Sequence, residues 1–161
     1  MKPFIFPALL IFVIACNNTA TDQSKALQSR VDSLEKKLSD TYKPGFGEFM
    51  SSIQAHHVKL WFAGKNENWK LADFEVHEIM EAIEDIQKYE TERNESKMIG
   101  MIDPAIDSVN EAIRLENPEK FKTSFMLLTN TCNNCHKAAN FGFNKVQVPE
   151  TQPFSNQDFG E

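Results

Sequence analysis

Two cysteines and a histidine fall together in Cys132-Asn133-Asn134-Cys135-His136, the stretch of the 161-residue chain with the most chemistry in the least length. On a helix the two thiols stand about one turn apart, and the following imidazole is beside them. The spacing is that of c-type haem attachment, in which the thiols add to the two vinyl groups and the histidine coordinates iron from the proximal side. Other uses of a Cys-x-x-Cys pair need company this chain does not offer. A thioredoxin-like redox pair opens a helix after a strand, within a βαβ unit, whereas this pair comes late in a helical pattern. Zinc needs two more ligands; His56 and His57 are the candidates, but adjacent residues point in different directions on a helix. A disulfide between the two cysteines would be strained inside a helix. One Cys-x-x-Cys-His motif implies one haem.

The third cysteine has a different setting. Met1-Lys2 gives a positive start, and Phe4 to Ala15 is an apolar run closed by Val13-Ile14-Ala15-Cys16, after which the chain turns polar. The run is too short to span a bilayer and suits the core of a signal peptide. Its last four residues resemble a bacterial lipobox, after which cleavage leaves Cys16 as a lipidated N-terminus. A plain secretory signal with a chance cysteine, and an uncleaved anchor, are the rival readings. Acyl chains bury methylenes at ~0.8 kcal/mol each, so several would hold the domain on a membrane. Losing residues 1–15 takes the basic count from 17 to 16 against 23 acidic residues, which moves the net charge from −6 to −7. Basic residues so outnumbered and so spread argue against a nucleic-acid partner. The expectation is a periplasm-facing lipoprotein. Asn17 is not the Asp that commonly retains lipoproteins at the inner membrane, which favours the outer one. Export agrees with haem attachment, which in bacteria takes place outside the cytoplasm.

The elements that must position these residues read as helices. Asn17 to Ser24 is polar and expected to be an irregular tether. Leu27, Val31, Leu34 and Leu38 then recur at a/d spacing over two heptads, short of the three or four that define a coiled coil. A stalk, a helix lying on the domain and an oligomerisation zipper all fit. Lys43-Pro44-Gly45 ends it. A helix from Phe46 to about Ala63 follows, with Gly64 placed to stop it. Asn68 opens a second, to about Tyr89, and Thr91 to Gly100 is a polar connection. Asp103-Pro104 and Asn117-Pro118 each offer an N-cap followed by proline at the first helical position. The stripe Phe121, Phe125, Leu128, Cys132, Cys135, Ala139 places the motif on the inward face of the last helix. No stretch before residue 140 alternates as a strand would. The last twenty residues, with Pro149, Pro153 and three Phe, read as an extended tail.

A single CxxCH near the end of the fourth helix of a four-helix bundle resembles the class II c-type cytochromes, the cytochrome c′ group. The resemblance covers about Phe46 to Phe143. It implies that the far side of the haem is met by a residue of the first bundle helix. The pattern there is matched by Met50-x-x-Ile53-x-x-His56, with Met50 at the position that decides between a six-coordinate electron carrier and an open, gas-binding site. Methionine implies electron transfer. His57, on the same inward stripe but two turns deeper, is the rival ligand. His56, His57 and His77 are otherwise read as boundary histidines, and Trp61, Phe62, Trp69 and Phe74 as core.

The expected organisation is all-α. A signal peptide occupies 1–15, and 16–44 is a lipid-anchored tether with a short helix. An antiparallel four-helix bundle holding one covalent haem c occupies 45–143, followed by an extended tail at 144–161. The expected function is one-electron transfer with redox proteins as partners, without enzymatic turnover, and with a homo-oligomer compatible with the seam. The alternatives are a gas-binding haem protein of the same fold, and an exported interaction or stalk protein whose CxxCH holds zinc or nothing.

Overall fold

The computed structural model describes residues 15–39, 41 and 44–160, with the side chains of the first helix described from 22 to 38. The proposed signal core up to Ile14 and the side chain of Cys16 lie outside the described residues. The chain divides into two compact units, Met1–Lys43 and Pro44–Glu161.

In the first unit, α1 spans Ala15–Ser39. It takes in residues 17–24, which the polar composition suggested would be irregular. No glycine or proline interrupts residues 15–39, so the helix propagates through the polar stretch once started. Leu27, Val31, Leu34 and Leu38 are all exposed along it.

The second unit holds α2 (Phe46–Lys65), α3 (Trp69–Tyr89), a 3₁₀ helix (Ser96–Ile102), α4 (Asp103–Arg114) and α5 (Pro118–Ala138). The molecule is all-α, with no strand among the described residues. α2 packs on α3, α3 on α4, α4 on α5 and α5 on α2, so the four share one core. Its centre is Leu60, Val76, Ile79, Ile86, Val109, Phe121, Phe125 and Leu128, all essentially without solvent contact. Each large side chain so buried contributes about 1.5–3 kcal/mol. Rings run through this core: Trp61 lies 4.9 Å from Phe125, Phe121 6.0 Å from Phe125, and Trp69 6.0 Å from Phe121. Phe74, expected with them, is exposed.

Caps explain most helix boundaries. The amide side chains of Asn68 and Asn117 accept from the N–H groups of Leu71 and Lys120 and open α3 and α5 as expected. Asp103 does not cap α4. Its backbone is already helical and its N–H bonds to the Gly100 carbonyl, because the 3₁₀ helix runs straight into α4. Gly64 does not stop α2 either: it is buried inside the helix, where a Cβ would overlap the Phe121 ring. The stop is Glu67, at φ 62°, with its N–H on the Gly64 carbonyl at 3.2 Å and that of Asn68 on Ala63 at 3.0 Å. Glu116 and Asn140 end α4 and α5 with the same paired bonds.

Beyond α5 the chain is irregular but attached. Val148 packs on the core, and Phe159 is buried 5.8 Å from Phe62. The Gly160 carbonyl accepts from the side chain of Asn68 at 2.8 Å.

Candidate functional site

The start of α2, the end of α5 and the segment after α5 enclose a cavity of about 430 Å³. That volume is in the range of small-molecule and cofactor sites, roughly 300–1,000 Å³. Met50, Ile53, His57, Cys132, Cys135 and His136 all line it, together with Phe46, Ile99, Ile102, Phe141 and Val146. The five residues that spacing and resemblance proposed for haem are therefore on one wall system, although Met50 and His136 are 86 positions apart.

α5 carries the motif because its inward stripe continues past Leu128 into half-buried Cys132 and Cys135. The two cysteines are free thiols. Burial pushes the Cys132 thiol up to about 11, with Cys135 beside it adding to the shift, and burial also raises Cys135. Both therefore stay protonated and uncharged at neutral pH. A thiolate-based redox pair has the opposite character, a lowered pKa at a helix N-terminus. These cysteines lie in the last two turns of α5, near the negative end of its dipole.

His136 is held from behind. Its Nδ1 lies 2.6 Å from the carbonyl oxygen of Asn144, which can only accept, so Nδ1 carries the proton and donates. Nε2 is left with its lone pair, the state a metal-binding imidazole needs. Asn144 is itself fixed by the strap that contains it. The side-chain amide of Asn133 donates to the Val146 carbonyl and accepts from the Val146 N–H, each at 2.8 Å. The Phe141 N–H also bonds the His136 carbonyl at 2.7 Å. Asn133 thus ties the strap to the motif it belongs to. The spacing alone gave no sign of this, since the two positions between the cysteines tolerate any residue in such motifs. Only the local excess of Asn hinted at it.

His57 is engaged elsewhere. Its Nε2 lies 2.9 Å from Thr129 Oγ1, while the Thr129 hydroxyl donates to the Phe125 carbonyl at 3.0 Å. The hydroxyl proton being spent, Nε2–H of His57 is the donor. The ring lies 4.5 Å from Phe125 and burial lowers its pKa to about 4, so it is neutral. His56 turns away to α3, with Nδ1 2.6 Å from buried Glu75. His77 is exposed over Asp73. Of the two candidate zinc histidines, His56 is turned away from the cavity, and His57 shares it with the cysteines but has its Nε2 engaged by Thr129. Among the described residues, no group of three or more His, Cys, Asp or Glu is arranged to hold a metal ion.

Met50, from a different helix, also lines the cavity, half-buried and packed against the core. The donor set is of the kind that holds haem: two thiols, one imidazole with its outer nitrogen anchored and one thioether, on largely apolar walls that also include Arg93, Glu95 and Lys145. Comparison with protein-family models, curated proteins and solved structures finds no match. No helix among the described residues is long and apolar enough to cross a membrane.

Proposed function

We propose that this chain is a lipid-anchored monohaem c-type cytochrome, with its second unit an antiparallel four-helix bundle of the class II type, carrying single electrons outside the cytoplasmic membrane. One observation carries the reading. Cys132, Cys135, His136 and Met50 line one largely apolar cavity, with the outer nitrogen of His136 bound to a backbone carbonyl.

Haem c would supply one Fe(III)/Fe(II) couple. The protein's residues do the rest. Cys132 and Cys135 would hold the porphyrin edge as thioethers, each thiol bringing the S–H that addition to a vinyl group needs, with no oxidant or leaving group required. His136 offers Nε2 to iron, and the Asn144 carbonyl on Nδ1–H fixes the tautomer and makes the ring a stronger donor. Met50 offers a thioether, which raises the potential relative to a second nitrogen ligand. His57, its Nε2 held by Thr129 and its ring packed on Phe125, has only Nδ1 left to offer, which makes Met50 the preferred ligand and His57 its rival. Ile53, Ile99 and Ile102 keep the site apolar. The acidic surface suits a basic redox partner by steering.

The test is the visible spectrum of protein matured in a cell competent for cytochrome c assembly. Haem absorbance that survives acid-acetone extraction, is low-spin and cycles reversibly by one electron supports the proposal. Extractable or absent haem refutes it, and a high-spin spectrum with full CO uptake moves the function to gas binding.

A further inference from the structure

α1 presents an apolar seam that no described residue of its own unit covers: Leu27 is 61% exposed, Val31 44%, Leu34 62% and Leu38 68%. The spacings of four, three and four put Leu27 and Leu34 at d positions and Val31 and Leu38 at a positions. Val31 at a between Leu27 and Leu34 at d is the combination that favours two parallel strands, although the other a position is Leu38. The flanking positions then decide orientation. Gln28 and Glu35 fall at e, Arg30 and Lys37 at g. In a parallel, in-register pair, g faces the e position of the next heptad on the other strand, so Arg30 meets Glu35 of a second copy, twice by symmetry. In an antiparallel pair with the same seam, g faces g and Arg30 meets Lys37, which repels. Charge therefore selects one arrangement.

We infer that α1 is a self-association surface whose occupant is the α1 of a second copy, parallel and in register across Leu27, Val31, Leu34 and Leu38. The inference stands on α1 alone and holds whether or not the second unit binds haem. Two heptads make a short seam, so the pair dissociates in about the micromolar-to-millimolar range in solution. If Cys16 is lipidated, both copies start from one surface at the same end of α1, which agrees with a parallel pair and raises their effective concentration.

The test uses the chain from residue 16 onward carrying Cys16→Ser, so that no lipid intervenes, followed by sedimentation equilibrium over a wide concentration range. The expected result is a monomer–dimer equilibrium. Leu34→Lys should abolish the dimer while helicity and the properties of the second unit persist. Arg30→Glu should raise the dissociation constant by about tenfold, and Arg30→Glu with Glu35→Arg should restore it. Leu27→Cys should give an interchain disulfide between the two introduced thiols, and Ser29→Cys, on the outer face, should not. A single-chain mass at every concentration overturns the inference. So does a dimer indifferent to Leu34→Lys, which places the interface elsewhere, or failure of the charge exchange to restore pairing. Binding of the Cys16→Ser monomer to anionic phospholipid vesicles through α1, with no dimer, would assign the seam to a lipid surface instead.

Discussion

Two side chains from α2 share the wall of the cavity and are given opposite roles by their neighbours. Met50 has an unbranched thioether able to reach across an irregular space, and nothing holds its sulfur in a polar bond that ligation would break. His57 spends its Nε2–H on Thr129 and its ring is packed on Phe125, so only Nδ1 is left to it and the ring cannot swing. Met50→Ala should therefore convert a low-spin spectrum to a high-spin one that takes up CO, whereas His57→Gln should leave the ligand field unchanged. A low-spin spectrum surviving in Met50→Ala would transfer the ligand role to a histidine. His57 also makes stability depend on pH. Folding holds it neutral down to about pH 4, while in the unfolded chain it takes up a proton near pH 6.5. Its contribution is complete above pH 6.5. As pH falls toward 4, stability declines by about 1.4 kcal/mol per unit, roughly 3 kcal/mol in all. Urea titrations at pH 7.5, 5.5 and 4.5 should show this slope in the wild type and lose it in His57→Gln.

At the scale of elements, the haem-type motif and four of the helices were legible because they rest on local periodicity and on caps such as Asn68 and Asn117. What escaped the sequence depends on partners distant in the chain. Gly64 looks like a helix stop, yet it is glycine because the Phe121 ring passes where its Cβ would be. The actual stop, Glu67, has a residue type that rarely takes positive φ. Asp103 has the right type for a cap, but the 3₁₀ helix before it already holds its backbone helical, with its N–H on the Gly100 carbonyl. The strap is the largest such omission, since Asn133 and Val146 show their bond only after α5 ends and the chain doubles back. Asn133→Ala removes both bonds, worth about 1–3 kcal/mol together, and should speed amide exchange in residues 141–148 about tenfold or more. With the Asn144 carbonyl loosened, His136 becomes a weaker donor and the midpoint potential should rise. Exchange unchanged in the strap would show that other contacts hold it.

For the molecule as a whole, placement of the proposed electron carrier depends on Cys16. Cys16→Ser should release the protein from membranes into the soluble fraction with its spectrum intact, and continued sedimentation with membranes would contradict the lipobox reading. The proposed electron carrier rests, however, on covalent haem on one short segment of α5. Intact mass spectrometry of the chain from a host competent in cytochrome c maturation tests it most directly, followed by proteolysis to locate the added mass. The expected result is one haem per chain, carried on the peptide containing Cys132 and Cys135 and absent when both are replaced by alanine. A wild-type chain at its apo mass from such a host would contradict it.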